Sequence, residues 1–223
     1  IEVVSPGNPM MDGIDKSECP NEFETYRRLI LLCGSRLPEA YQNFKKLLIA
    51  IQLIQVSSSI AVFVPLNSFS MRKKIELILI ELGFKTTNES RSEIGISAVW
   101  SKKSLIILIG FNQFFAWANW GEVGVANAGT ATEQLVGLGI PCVSLPGKGP
   151  QFNFNFANRQ SRLLGGAVAI SKGNKTLAKQ VEFLLNSDFA RESIGLIGSK
   201  RMGPEGGSQS LARIISTKLS QGL

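Results

Sequence analysis

Short apolar runs, each closed by a glycine, a proline or a polar turn, alternate along this chain with longer stretches whose apolar residues recur at helical spacing. A strand covered by helices on both faces is apolar throughout instead of alternating. Such strands interleaved with helices are the signature of an α/β domain built on a parallel sheet flanked by helices. Strands are expected over residues 28–33, 59–64, 97–100, 105–109, 122–126, 141–145 and 167–170. Pro65 closes the second, and the turn Ser101-Lys102-Lys103 separates the third from the fourth. Helices are expected over 39–55, 70–82, 112–119, 131–138 and about 152–164, with two or three more to follow. Pro38 and Glu39 suit a first helical turn, and Gly83 suits a left-handed helix end. The last helix, 208–220, follows the break Gly203-Pro204-Glu205-Gly206-Gly207. Residues 1–26, rich in Pro, Gly, Asn and acidic side chains, read as a linker or interdomain crossing and not as a core element. Residues 27–223 then form the domain.

A chain of 223 residues that is 44% hydrophobic can bury one sizeable core. It begins at Ile1 with no basic leader ahead of an apolar stretch, and is read as a fragment or processed chain. The apolar runs near 47–54 and 105–111 fall short of the ~20 residues a bilayer span needs. A soluble, cytoplasmic protein is expected. Cys19, Cys33 and Cys142 show no CxxC or metal spacing, which fits a reducing compartment. The absence of histidine excludes a Ser-His-Asp triad, a Cys-His pair and a His-ligated zinc within the chain. The net charge of +7 is spread over small clusters, with no arginine-rich run. It leaves open a solvated basic face, a phosphorylated ligand or an anionic membrane surface, and argues no nucleic-acid partner.

In a parallel sheet of this kind, ligands bind beyond the carboxyl ends of the strands. The loops after Cys33, Ile109, Ala126 and Leu145 should therefore share one crevice. The strongest constellation there is Asn127-Ala128-Gly129-Thr130-Ala131-Thr132-Glu133-Gln134. Gly129 admits a ligand close to the backbone, and the helix start behind it offers unpaired N–H groups and a positive dipole end to an anion. The Thr130 and Thr132 hydroxyls can add bonds to phosphate, while Glu133 suits neutral hydroxyls such as a ribose pair. The alternative is an ordinary helix cap, with Thr130 capping and Glu133 as the capping-box acid. Gly34-Ser35-Arg36 can grip a diphosphate, the arginine bidentately, or can be a plain strand-to-helix turn. Residues 114–120 (FFAWANW) read first as core packing; the Gly110-Phe111 backbone ahead of them could meet a base edge. The loop 146–158 offers Lys148, Gln151 and Asn153 to sugar hydroxyls, or is a flexible polar surface.

These segments together resemble a known family. Gly7-Asn8-Pro9-Met10-Met11-Asp12, Leu32-Cys33-Gly34-Ser35-Arg36 and Ala128-Gly129-Thr130-Ala131-Thr132-Glu133 resemble motifs of lipid A disaccharide synthase, and more closely those of cyanobacterial proteins related to it. Arg201-Met202-Gly203-Pro204 belongs to the same likeness, which covers nearly the whole chain. Cys33 stands where that family usually has proline. Residues 115–119 with Gly129, Glu133 and Gly139-Ile140-Pro141 are also similar to the peptidoglycan N-acetylglucosaminyl transferase. The resemblance implies the Rossmann-like carboxy-terminal half of a GT-B glycosyltransferase, which holds a UDP-sugar donor and needs no cofactor or metal. Carried over, Gly34, Ser35, Arg36, Gly129, Thr130, Ala131 and Thr132 would meet the diphosphate, Glu133 the ribose, Phe111 the uracil, and Gln151 and Asn153 the donor sugar. It implies hexosamine-type transfer to a lipid-linked or glycan acceptor, with the general base in an amino-terminal half and the whole protein touching the cytoplasmic membrane face. The fragment alone would be inactive. A UDP-sugar 2-epimerase and a non-catalytic nucleotide-sugar-binding module are the competing readings.

Overall fold

The structure is a computed structural model that describes residues 4–14, 18–87, 92–147 and 149–220. Eight strands form one sheet: β1 (Arg27–Leu32), β2 (Ile60–Leu66), β3 (Lys85–Thr86), β4 (Ala98–Lys102), β5 (Leu105–Phe111), β6 (Val123–Ala126), β7 (Cys142–Ser144) and β8 (Val168–Ile170). Their order is β3-β4-β5-β2-β1-β6-β7-β8. The six strands from β5 to β8 in that order pair in parallel, and the β3–β4 hairpin adds two antiparallel strands at one side. The strands β2 to β5 lie on one side of β1, and β6 to β8 on the other. The reversal falls between β1 and β6, which stay paired to their last residues, Leu32 and Ala126, while the chain leaves them for α1 on one face and α4 on the other, and a crevice lies between.

The pleat sorts the strand side chains onto two faces. Leu29 and Leu31 of β1 join Val62 and Val64 of β2 in one core cluster, while Ile30, Leu32, Ala61 and Phe63 join the other. The first face is covered by α1 (Glu39–Ile51), α2 (Arg72–Glu81) and α6 (Asn174–Asn186), which contribute Phe44, Ile75 and Val181. The second takes Trp117 from α3 (Phe114–Trp117), Leu135 and Val136 from α4 (Thr130–Gly137) and Met202 from α7 (Asp188–Met202). Helix α5 (Phe154–Leu163) joins β7 to β8, and α8 (Gly207–Ser220) ends the described chain. Each large side chain buried this way contributes roughly 1.5–3 kcal/mol. Among the described residues, no helix is long and apolar enough to cross a membrane.

Three details depart from the sequence expectation. Pro65 does not close β2; it pairs with Gly110 inside the strand. The β1 ladder ends at Ile30↔Phe63, so beyond Phe63 that side of β2 is an edge, where a residue without an N–H is tolerated. The Ser101-Lys102-Lys103 turn is shorter than expected: Ser101 and Lys102 belong to β4, and the reversal sits at Lys103, with φ 52°. Residues 1–26 are not all peripheral either. Met11, Ile14 and Phe23 are buried in the second core cluster, and Phe23 meets Phe63 edge-on at 5.1 Å. Residues 1–3, 15–17 and 221–223 of the expected linker and last segment lie outside the described residues.

Candidate functional site

The loops that follow β1 and β6 enclose a crevice of about 530 Å³. Its floor is a network of side-chain amides. Asn127, at the end of β6, donates to the Leu145 carbonyl (2.8 Å) and accepts from the Leu145 N–H (3.0 Å), tying the loop after β7 to β6. The same Asn127 Nδ2 donates to Asn43 Oδ1 of α1 (3.2 Å), and Asn43 Nδ2 donates to the Cys33 carbonyl (3.1 Å). Both amides are buried, and a buried polar group left without partners would be costly. Gly34 follows with φ +83°, and a Cβ there would come within 3.1 Å of the Asn127 carbonyl. This is a close approach in the left-handed region that only glycine makes without strain.

Two elements aim positive charge into the opening. Helix α4 begins at Thr130 with Gly129 as its N-cap, and no side chain caps it. The Thr130 and Ala131 N–H groups have no acceptor among the described residues; the first bonded N–H of the turn is that of Thr132, to the Gly129 carbonyl. Unpaired N–H groups and the helix dipole together favour an anion here. A side chain at Gly129 would meet only the Phe156 ring, at 3.8 Å, so this lip is open. Across from it, Ser35 and Arg36 are exposed and line the crevice on the β1 side.

One carboxylate faces these groups. Glu39, in the first turn of α1, accepts from the Phe152 N–H (2.9 Å) and the Gln151 N–H (3.4 Å), and so fixes the loop before α5 across the mouth. Lys46 anchors the same loop by donating to the Pro146 carbonyl (2.7 Å), and its partial burial lowers its pKa. Phe114, Phe115, Phe152 and Phe156 supply apolar walls. Phe115 is 47% exposed.

Seven of the sequence-selected residues meet in the crevice lining: Gly34, Ser35, Arg36, Gly129, Thr130, Ala131 and Gln151. Four do not. Thr132 is fully buried, and its hydroxyl donates to the Ala128 carbonyl (2.7 Å), which leaves it no proton for a phosphate oxygen. Glu133 lies on the flank of α4 that faces α5, where it accepts from Gln160 (3.3 Å); the next residue, Gln134, lines the crevice instead. Phe111 packs its ring 4.9 Å from Phe69, and its carbonyl accepts from Gln113 (3.2 Å). Asn153 caps α5 by accepting from the Phe156 N–H (2.9 Å). Lys148 lies outside the described residues.

Sequence reasoning missed Asn43, Glu39, Gln134 and the phenylalanines at 114, 115 and 156. For Asn43 a signal existed: it falls on the apolar stripe of α1 formed by Ala40, Phe44, Leu47 and Ile51, where an unpaired amide would be out of place. The aromatic run 114–120 divides its work, with Trp117 and Trp120 in the core and Phe114 and Phe115 at the crevice. Among the described residues, no group of three or more carboxylate or thiol side chains is placed to hold a metal.

No family model and no curated protein matches the sequence. Solved structures do match the fold. The C-terminal CMP-Kdo binding domain of WaaA from Acinetobacter baumannii superposes with TM-score 0.54 at 15% identity, over 81% of this chain and 91% of that one. A protein described as a UDP-N-acetylglucosamine 2-epimerase from Listeria monocytogenes gives TM-score 0.63 at 12% identity, over 97% of this chain and 52% of its own. The spinosyn rhamnosyltransferase SpnG, complexed with thymidine diphosphate, gives 0.53 at 15% identity, over 86% and 45%. This chain therefore spans about half the length of the last two. At these identities the likeness is one of fold: a Rossmann-like sheet of the kind found in GT-B carboxy-terminal domains.

Proposed function

We propose that this chain is a nucleotide-sugar-binding domain, the donor half of a glycosyltransferase, and that the diphosphate of the donor lies between α4 and the Gly34-Ser35-Arg36 turn. The observation that carries the reading is the uncapped start of α4, with free N–H groups at Thr130 and Ala131, opening on a crevice at the β1/β6 reversal. Gly34 and Gly129 let backbone approach the phosphates. Arg36 neutralises them, and the Thr130 hydroxyl adds a hydrogen bond. Gln134 is better placed than Glu133 for the ribose hydroxyls, since it belongs to the crevice lining; one Nε2 proton goes to the Met10 carbonyl (2.7 Å), which leaves the other to donate and the amide oxygen to accept. Gln151 faces the donor sugar from the tethered loop. The fold likeness to domains that bind nucleotide sugars supports the class of ligand, and the motif resemblance to lipid A disaccharide synthase favours UDP carrying a hexosamine.

In transfer, an acceptor hydroxyl attacks the anomeric carbon while UDP departs. The α4 dipole and Arg36 stabilise the charge that grows on the leaving diphosphate. The acceptor, lipid-linked or glycan, and the general base would belong to another half of a longer protein, so the chain alone should bind donor and turn nothing over. Calorimetric titration with UDP tests the reading. UDP should bind in preference to inorganic phosphate, and Arg36→Ala should cost roughly 1–3 kcal/mol of binding. Gln134→Ala should weaken UDP more than Glu133→Ala does. Equal affinity for UDP and phosphate would refute the proposal, and product formation by the isolated chain would refute its division of labour.

A further inference from the structure

A second concavity, of about 510 Å³, falls within the ~300–1,000 Å³ of sites that enclose small ligands. It lies at the sheet edge, where α6 from one face and α7 from the other wrap the last strand, β8. Its lining includes Pro141, Ala169, Phe183 of α6 and Ile194 of α7. It shares no residue with the crevice, so what enters one leaves the other free.

The lining is apolar except along α6, where Lys175 and Lys179 stand one turn apart and exposed. No carboxylate lines the groove, and neither lysine has a hydrogen-bond or ion-pair partner among the described residues. Like charges at this helical spacing repel. One further turn along, Phe183 is 60% exposed at the lip, leaving a large ring in water. Both features are unfavourable when the groove is empty, and one chemistry relieves both: an apolar chain that ends in an anion. Lysine stems can lie along such a chain while their ammonium groups meet its head.

We propose that this groove binds the acyl chain of a long-chain carboxylate, with the chain against Pro141, Ala169 and Ile194 and the carboxylate between Lys175 and Lys179. A bilayer surface matches less well, because the apolar lining is recessed and a chain must leave its lipid neighbours to reach it.

Fluorescence titration of the full chain with cis-parinaric acid, below its micelle concentration and at low salt, tests this. One saturable site is expected, unaffected by UDP. The Lys175→Ala/Lys179→Ala double variant should bind the acid roughly tenfold more weakly and its methyl ester as well as the wild type does. Thr176→Trp, at an exposed position of the lining, should block acid and ester alike without altering the thermal midpoint. No saturable binding, full affinity in the double variant, or full affinity in Thr176→Trp would each overturn the proposal. Binding to anionic vesicles without binding of the free acid would overturn it in favour of a membrane-surface contact.

Discussion

Burial pushes the Cys33 and Cys142 thiols up to about 12, and partial burial pushes Cys19 up to about 11. The thiolate is the reactive form, so at pH 8 the folded protein should react slowly with a chromogenic disulfide reagent, Cys19 first, and all three cysteines should react at once in denaturant. Absorbance against time checks this, and a fast Cys33 would mean that the crevice floor opens. The same shifts carry a sign for stability. A raised thiol pKa favours the folded state below the unfolded value of about 8.5, and that advantage is lost as pH rises toward 12. At this scale the sequence was partly readable. Gly34, Arg36 and Gly129 could be picked out because they follow strand ends. From sequence, Glu133 is chosen for the crevice and Gln134 has no role; adjacent helical positions point about 100° apart, and the crevice lining includes Gln134 and not Glu133. Which of them faces the crevice depends on how Thr132, Leu135 and Val136 seat α4 on the sheet.

Helix α7 approaches the turn after α4 through a glycine. A Cβ at Gly195 would lie 2.1 Å from the Gly139 carbonyl oxygen, a backbone atom with no room to give. Gly195→Ala should force the two elements apart and destabilise the protein by roughly 1–3 kcal/mol, read as a lower urea midpoint with unchanged slope. The strands flanking β1 were legible because strands covered on both faces are continuous in sequence as apolar runs. The pair Lys85–Thr86 was not: both residues are exposed, and only their pairing with Ser101 and Trp100 makes them a strand. Pro65 misled for the opposite reason. A local rule ended the strand there, while the register of its neighbours freed that position from needing an N–H.

Across the whole molecule, Asp12 joins the first described segment to the last helix. Its carboxylate accepts from the Gly206 N–H and from the Ser208 N–H (2.9 Å), capping α8 from a distant part of the chain. The Ser208 hydroxyl first, then those backbone N–H groups, hold the Asp12 carboxyl below its usual value. A depressed acid favours the folded arrangement above the unfolded value of about 3.9, and the support is lost as pH falls from there through the folded value. Hydrogen exchange should show the amides of α8 loosening below about pH 4 ahead of the central strands. Asp12→Ala should produce the same loosening at neutral pH, and equal protection of α8 in that variant would refute the clasp. The overall α/β layering was legible from the alternation of runs, whereas the tie between residues 8–12 and 202–208 was not, because it joins polar groups nearly two hundred positions apart in sequence.

The amides of Asn43 and Asn127 neither gain nor lose a proton across ordinary pH, and carry no charge for salt to screen. The separation of the two strand ends they bridge should therefore be the same in dilute buffer and in brine, at pH 5 and at pH 9. Whatever salt dependence ligand binding shows can then be assigned to the charged lips, Arg36 and Glu39, acting on a cleft whose width stays constant.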